Sequence, residues 1–467
     1  MFKFDLRGNG TDVRTEVLAG VTTFLSMVYI LAVYPSVMSR IGIPAGGAVI
    51  AAALAAFLGT TLMGWLGRYP FALAPGVGIV PFFALSVVLS MGVSWQFAMM
   101  AVFLEGVIFL VCTLIPLREK IFDAIPLPLK TAIGVGIGFF IIFIGLQGAK
   151  AIVADRNSLT TLVKFRAEFW SSGICATLAL AGLLATVVMY HYRVRGAILW
   201  GILFTWGLGM ICQALGVYKV NEAAGMYSLY PNFRPGALGG AFREFGSLCG
   251  ECLNVGKWQV RGSTLTGWKL LLSGNFLIVM FTLLFDDLFN TLGTLTGVAS
   301  TANMLDKDGK LPRLKGALLA DALATTGGAL IGATTTTTYV ESATGVSVGG
   351  RTGLSSYVTA AMFLLAIVFA PVFTAIPAFA TAPALIMVGF LMISQIVKID
   401  FGDVTEGFPC LLAIIMMAFS YNIADGICLG FIAWTTVNLL CGKRARKRVN
   451  WVLIVLSVLF LLKYVFL

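Results

Sequence analysis

Long apolar runs joined by short polar connections dominate the chain, and their lengths set the first expectation. A helix crosses a hydrocarbon core with about 20 apolar residues. Windows of that kind predict spans at 17–39, 46–66, 71–91, 95–116, 128–148, 172–192 and 195–217. After a polar stretch at 218–262 a second series follows at 269–298, 314–333, 335–350, 353–375, 377–397, 407–422 and 424–441. The pattern predicts an all-α polytopic membrane protein with about 14 transmembrane segments, seven on each side of the polar stretch. A last apolar piece, 451–467, is short for a span, and either crosses the membrane or lies at its interface. Unbroken apolar runs without long alternating strands exclude an outer-membrane barrel.

The two series resemble each other. AALAAFLGTTLMGWLG from Ala52 matches ADALATTGGALIGA from Ala320, and AIPLPLKTAIGVGIGFFIIFIGLQ from Ala124 matches AIPAFATAPALIMVGFLMISQI from Ala375. Halves with an odd number of spans insert in opposite senses, so two inverted seven-span repeats are expected. Each half holds one irregular segment. In the third span, PFALAPGVGIVPFF from Pro70, three prolines and two glycines forbid a continuous helix; in the tenth, ATTTTTYVESATGVSVGG from Ala333, a threonine run favours extended backbone. Both are predicted to be part strand and part half-helix. Backbone of that kind persists at membrane depth only where protein buries it or it lines a cavity, so paired breaks point to a transporter's binding site.

Composition changes the picture little and charge somewhat more. The 467 residues are 59% hydrophobic and 11% charged, against about 25% charged in a soluble domain. The net charge of +11 does not imply nucleic acid, because the cations sit in short connections. An inside N-terminus would place Arg68, Arg118, Lys120, Arg193, Arg195, Lys307, Lys310, Arg313, Lys315 and the run Lys443 to Arg448 on the cytoplasmic side. The long loop carries Lys219, Arg234, Arg243, Lys257 and Arg261, and long loops cross regardless of charge. The segment MFKFDLRGNGTDVRTE lacks the features of a signal peptide.

A single histidine, His191, and no Cys/His cluster argue against a metal or haem site, and no cofactor is expected. Without a GxxxxGK[ST] loop, active transport would draw on an ion gradient. Of eight cysteines only Cys249 and Cys252 lie in the long polar loop, as CGEC; they are either a loop staple or without a role.

Acids inside apolar spans are expensive and need a partner. Glu341 lies at the break of the tenth span, where it can either accept NH donors from a ligand or make a structural hydrogen bond. Asp286, Asp287 and Asn290 share one helix face in the eighth span. Asp287 either takes part in coupling or anchors the half-helix of the tenth span, and Asp286 stands one turn from Asn290. Glu105 and Asp321 are expected to be satisfied by neighbouring helices, Asp425 to cap the last span, and Lys130 and Lys269 to snorkel. Phe71, Phe82, Phe83 and Tyr339 offer rings to a planar ligand or to the core, with Phe71 and Tyr339 nearest the breaks.

Three stretches carry a family resemblance: APGVGI at Ala74–Ile79, FDDLFNTLGTLTGVA at Phe285–Ala299 and TTTTTYVESATGV at Thr334–Val346. They are similar to the signatures of bacterial nucleobase:cation symporters of the xanthine/uracil permease-like kind, and in particular of the adenine/guanine/hypoxanthine permease branch. GGRTGLSS at Gly349, IPAFATAPALIMVG at Ile376 and FSYNIADGI at Phe419 extend the likeness over nearly the whole chain.

The resemblance implies a core domain of spans 1–4 and 8–11, here 1–126 and 263–375, and a gate domain of spans 5–7 and 12–14, here 127–217 and 376–442. The long extracytoplasmic loop is 218–262, and 443–467 forms a basic cytoplasmic segment and a C-terminal apolar helix. It implies a free base held between the half-helices, bracketed by an acid in span 8 and a glutamate in span 10, which Glu341 matches. Two positions depart from the branch. Asn290 stands where FDTxGT has its aspartate, and Val80 where GLNAY has its asparagine. The expected substrate contacts are Glu341, Asn290, Val80 and Gly76, with Phe71, Tyr339 and Gly345 beside them; proton coupling falls to Glu341, Asp286 and Asp287.

The function implied is import of purine nucleobases by proton symport and alternating access, in the cytoplasmic (inner) membrane, with no nucleic-acid partner and a homodimer as the expected assembly. The alternatives are a nucleobase uniporter, a carrier of a related planar heterocycle or small anion, a channel, and an intramembrane enzyme. For the last, the sequence offers no nucleophile and base or metal cluster.

Overall fold

The computed structural model describes residues 4–115, 125–155, 159–166, 168–194, 196–220, 226–231, 236–261, 267–301, 304 and 311–466. Of the loop cations named above, Arg118, Lys120, Arg195, Arg234, Lys307 and Lys310 lie outside these residues. Among the described residues, eight helices are long and apolar enough to cross a membrane.

In chain order the elements begin with α1 (Val13–Met27), α2 (Ile30–Met38), α3 (Ala45–Leu62), β1 (Leu73–Pro75), α4 (Ile79–Ser90) and α5 (Trp95–Leu114). There follow α6 (Leu127–Gly148), a hairpin of β2 (Ile152–Asp155) and β3 (Leu159–Leu162), α7 (Ile174–His191), α8 (Ala197–Ala214) and α9 (Ala237–Gly246). The second half holds α10 (Gly274–Thr301), α11 (Leu314–Leu330), β4 (Thr336–Thr338), α12 (Ser342–Ser347) and α13 (Gly353–Phe373). It closes with α14 (Ala378–Ile393), α15 (Val404–Phe419), α16 (Ile423–Leu440) and α17 (Trp451–Phe466). Helices α1, α3, α5, α11 and α13 pack on one another, and α6, α7, α8, α14, α15 and α16 form a second set. In the second set α6 and α14 meet at Gly138 and Gly389. A Cβ at Gly138 would lie 2.8 Å from the Gly389 carbonyl, a backbone approach that only small residues allow.

Both irregular segments leave the helix as the proline, glycine and threonine pattern predicts. β1 and β4 pair antiparallel, with Leu73 opposite Thr338, Ala74 opposite Thr337 and Pro75 opposite Thr336. Two further amide bonds lengthen the ladder, Gly76 N to the Thr335 carbonyl and Tyr339 N to the Ala72 carbonyl, each 3.0 Å. Hydroxyls close its outer edges. Thr60 Oγ1 on α3 donates to the Leu73 carbonyl (2.9 Å) and accepts from the Leu73 amide (3.0 Å). Thr325 Oγ1 on α11 does the same for Thr336, at 3.2 Å both ways. Residues 82–90 of α4 are wound as π-helix, and α12 is a helix of only six residues.

The first span runs as one membrane-length stretch, Val13–Ile41, with a local tightening inside it. Between α1 and α2 the bonds shorten to i→i−3, from Leu31 N to Val28 O and from Ala32 N to Tyr29 O, and Pro35 lacks the amide that would reach back to Leu31.

Carboxylates cap helices from a distance. Glu16, fully buried on α1, accepts from the amides of Arg351 (2.9 Å), Thr352 (3.1 Å) and Ser355 (3.1 Å) and from the Ser355 hydroxyl, so it satisfies the first turn of α13. On the loop side Glu244 of α9 accepts from Gly47 N (3.0 Å) in the first turn of α3, whose own cap residue, Pro44, has no acceptor side chain. The rest of the loop clamps the turn before α5. Val93 bridges to Val260, and Ser94 N donates to the Gln259 carbonyl (2.8 Å).

At the other end α17 lies antiparallel on α16. Tyr464 donates to Asp425 Oδ1 (3.0 Å) near the start of α16, and Ser457 meets Thr435 (2.6 Å) halfway along. Asp425 therefore ties the C-terminal helix in place, from the first turn of α16. The basic segment between them reaches Asp403 at the start of α15 through Arg448 (2.8 Å). Hydrogen bonds from Thr405, joined by the Arg448 guanidinium, hold that carboxyl below the usual aspartate range.

Removing the Glu16 carboxylate would strand three amides and a hydroxyl in a dry interior, at about 1–3 kcal/mol for each donor left without a partner. Glu16→Ala is therefore expected to lower the unfolding temperature of the purified protein by several degrees. An unchanged thermal midpoint would rule out the capping role.

Candidate substrate site at the paired breaks

The ladder holds the two breaks face to face and fixes what surrounds Glu341. Glu341 follows β4 as the residue before α12, and its Oε1 accepts from the Tyr29 hydroxyl at 2.8 Å. Tyr29 has no solvent exposure and comes from the junction of α1 and α2. The Glu341 carbonyl accepts from Thr344 Oγ1 (2.7 Å), which also meets Ser26 Oγ on α1 (3.0 Å). Tyr339, two residues earlier, donates its hydroxyl to the Pro75 carbonyl across the ladder. Ser342 Oγ accepts from Ala72 N (3.0 Å), and Tyr34 Oη accepts from Thr334 N (3.2 Å) while donating to the Gly332 carbonyl (3.0 Å). The backbone of the breaks is thus held largely by neutral donors and acceptors, while the buried hydroxyls of Thr334 and Thr338 make no hydrogen bond of their own.

Not all the predicted contacts come together here. Gly76 faces the partner break, since a Cβ on it would sit 3.0 Å from Thr337 Oγ1. Val80 follows one turn into α4, its amide bonded to the Gly76 carbonyl (2.9 Å), and is fully buried. Phe71 is also fully buried. Its ring stacks on Tyr69 at 5.1 Å and 11°, and its carbonyl accepts from Ser356 (2.9 Å), so the ring is already committed to a packing partner. Phe82 and Phe83 are likewise core residues. Gly345 is the place where α12 touches α1. A Cβ on it would run into the Thr23 hydroxyl and come within 2.7 Å of the Ala19 carbonyl, which makes it a packing glycine. Tyr29 is the residue that the sequence reading passed over. A tyrosine inside an apolar span carries no pattern signal, and Pro35 is the only local mark of the break beside it.

The acids of the eighth span divide. Asp287 and Asp321 are both fully buried and meet through Thr291, whose Oγ1 lies 2.9 Å from Asp287 Oδ1 and 2.9 Å from Asp321 Oδ1. One hydroxyl carries one proton, so both contacts are fully satisfied only when one of the two carboxyls is itself protonated. The side chains of Asp286 and Asn290 lie outside the described residues, although both positions fall within α10. Glu105 on α5 accepts from Thr335 Oγ1 (2.8 Å) at the foot of β4, a neighbouring-element partner of the expected kind.

The cysteines of the CGEC loop are free. Burial pushes the Cys252 thiol up to about 11 and raises that of Cys249 as well, so neither sulfur is a ready nucleophile. No group of three or more potential metal-ligating side chains occurs among the described residues.

Comparison with known proteins places this architecture. A model described as "Permease family", of the xanthine/uracil permease type, matches residues 14–429. The chain is 39% identical over 475 residues to the guanine/hypoxanthine permease PbuG of Bacillus subtilis, covering 100% of this chain and 99% of that protein. It is 35% identical over 463 residues to the adenine permease AdeP of Escherichia coli, covering 99% and 95%. Among solved structures, the transmembrane domain of the cyanobacterial bicarbonate transporter BicA shares the fold, with a TM-score of 0.61, 15% identity and coverage of 89% of this chain and 97% of that one. The chain therefore belongs to the xanthine/uracil permease family, within the adenine/guanine/hypoxanthine permease branch, a family of transporters and not of enzymes.

Proposed function

We propose that this membrane protein imports purine nucleobases by proton symport with alternating access across the cytoplasmic membrane. The observation that carries the reading is the state of Glu341. Among the described residues one side-chain donor, Tyr29, meets this carboxyl, whereas Glu16 receives four donor contacts. A carboxylate accepts about four hydrogen bonds, so Glu341 retains capacity for the NH groups along one edge of a purine. Its relatives' names, guanine/hypoxanthine and adenine permease, match that chemistry.

The same reading takes the chain as fourteen spans in two inverted repeats. Three features support it: the antiparallel β1–β4 pair, the equivalent clamps of Thr60 on Leu73 and Thr325 on Thr336, and the matched sequence stretches. The two sets of helices correspond to a core domain that carries both breaks and a gate domain against which it moves. Ser86 of α4 donates to the Tyr421 carbonyl (2.7 Å), and Tyr421 is itself held within the gate by its hydroxyl bond to Gln147 (2.9 Å), so a side-chain hydrogen bond joins the first break's half-helix to the gate.

Exchanging the carboxylate for its near-isosteric amide tests the site. Glu341→Gln is expected to weaken uptake affinity about ten- to a hundredfold, the worth of a hydrogen bond to a charged acceptor, while insertion into the membrane is unchanged. Normal affinity would remove Glu341 from the site. Val80 sits where the branch carries an amide. Val80→Asn should alter the order in which bases compete more than the maximal rate, and an unaltered competition panel would place that position away from the ligand.

Coupling is assigned to Glu341 with Asp287 or Asp286, since Asn290 does not titrate near neutral pH. The Asp287–Thr291–Asp321 bridge is a buried pair able to hold an extra proton. In vesicles an imposed pH gradient should concentrate labelled hypoxanthine, and Asp287→Asn should leave exchange but end accumulation. Equilibration without accumulation in the wild type would replace symport by facilitated diffusion.

A further inference from the structure

We propose that Tyr29 is a positioning residue for substrate recognition: it holds one oxygen of the Glu341 carboxyl so that the remaining acceptor capacity is presented to the base. This rests on the reading of Glu341 as the purine contact. Tyr29 is wholly enclosed, and its hydroxyl lies 2.8 Å from Glu341 Oε1. The residue stands where the helix bonds of the first span shorten between α1 and α2. The same short segment fastens the other side of Glu341, because Ser26 Oγ meets Thr344 Oγ1 (3.0 Å), which in turn donates to the Glu341 carbonyl (2.7 Å). Backbone and side chain of Glu341 are therefore both set by residues 26–29.

The chemistry of the phenol suits a group that changes protonation state. Its O–H donates to a carboxylate, and its oxygen accepts from a carboxylic acid, so the pair stays bonded whether or not Glu341 carries a proton. A lysine at position 29, which only donates, would fit the carboxylate and not the acid. The remaining buried tyrosines nearby are committed elsewhere, Tyr339 to the Pro75 carbonyl and Tyr34 to Gly332 and Thr334. Tyr34 has the same burial and a purely structural set of partners, which makes it the natural control.

The test is uptake of labelled hypoxanthine by cells and by proteoliposomes, with transporter in the membrane measured for each variant. Tyr29→Phe removes one oxygen and is expected to raise the apparent KM about tenfold while the maximal rate per inserted transporter stays within about twofold. Combined with Glu341→Gln it should add no more than about twofold, because both changes remove the same interaction. Tyr29→His, which keeps a ring and a donor, should recover most of the affinity. Tyr34→Phe should lower the amount of folded protein and leave KM unchanged.

A wild-type KM in Tyr29→Phe, or full multiplication of the two losses in the double variant, overturns the positioning role. Loss of both Tyr29→Phe and Tyr29→His from the membrane overturns it too, by making Tyr29 a folding residue. If Glu341→Gln binds normally, the site reading falls and the role of Tyr29 falls with it. If Glu341→Gln is impaired and Tyr29→Phe is not, only the present inference fails.

Discussion

A peptide group that leaves the helix inside an apolar interior must find a partner in the protein, because lipid supplies none. The whole arrangement around the site follows from meeting that demand twice. The break at β1 cannot satisfy itself, nor can the break at β4, but each offers what the other lacks, and the antiparallel ladder from Ala72–Tyr339 to Gly76–Thr335 joins them. What the ladder leaves over is taken by hydroxyls placed one per gap: Thr60, Thr325, Ser342, Ser356 and Tyr34. The threonine run therefore acts as backbone that tolerates extension, while hydroxyls from neighbouring helices complete its hydrogen bonding.

The choice of neutral partners has an electrical consequence. Glu16, Glu105 and Glu341 are met by amides and hydroxyls in the contacts described above, not by lysine or arginine. A carboxyl held by dipoles keeps its bonds when its charge changes more readily than one locked in an ion pair. The three differ in how far they are filled. Glu16 takes four donor contacts from the start of one helix, whereas among the described residues the one side-chain donor that meets the Glu341 carboxyl is Tyr29.

Much of this was legible along the chain. Pro70, Pro75, Gly76, Gly78 and Pro81 announce the first break, the threonines from Thr334 announce the second, and the acid at Glu341 marks the place where they matter. Local chemistry carries those signals, so a linear reading recovers them. The reading weakened wherever the cause lies far off in sequence. Tyr29 looks like one more aromatic residue in an apolar run until Glu341 arrives 312 residues later. Gly345 and Phe71 lie beside the breaks in sequence, yet α1 and Tyr69 take up their free faces. Glu16 and Glu244 cap helices they do not belong to, which no capping motif within a helix encodes.

The separation of these partners bears on how the protein is made. Glu16 is satisfied by residues 335–339 positions further on, Tyr29 by one 312 positions on, and Tyr34 by Gly332 and Thr334, 298 and 300 positions on. Synthesis runs from the N-terminus, so the first span enters the bilayer carrying a carboxylate and two phenols whose partners have not yet been translated. During that interval it depends on interfacial water, the insertion machinery or temporary neighbours for its polar groups. A chain interrupted before residue 332 would lack every one of these partners, so the polar groups of the first span are completed only by the last third of the sequence.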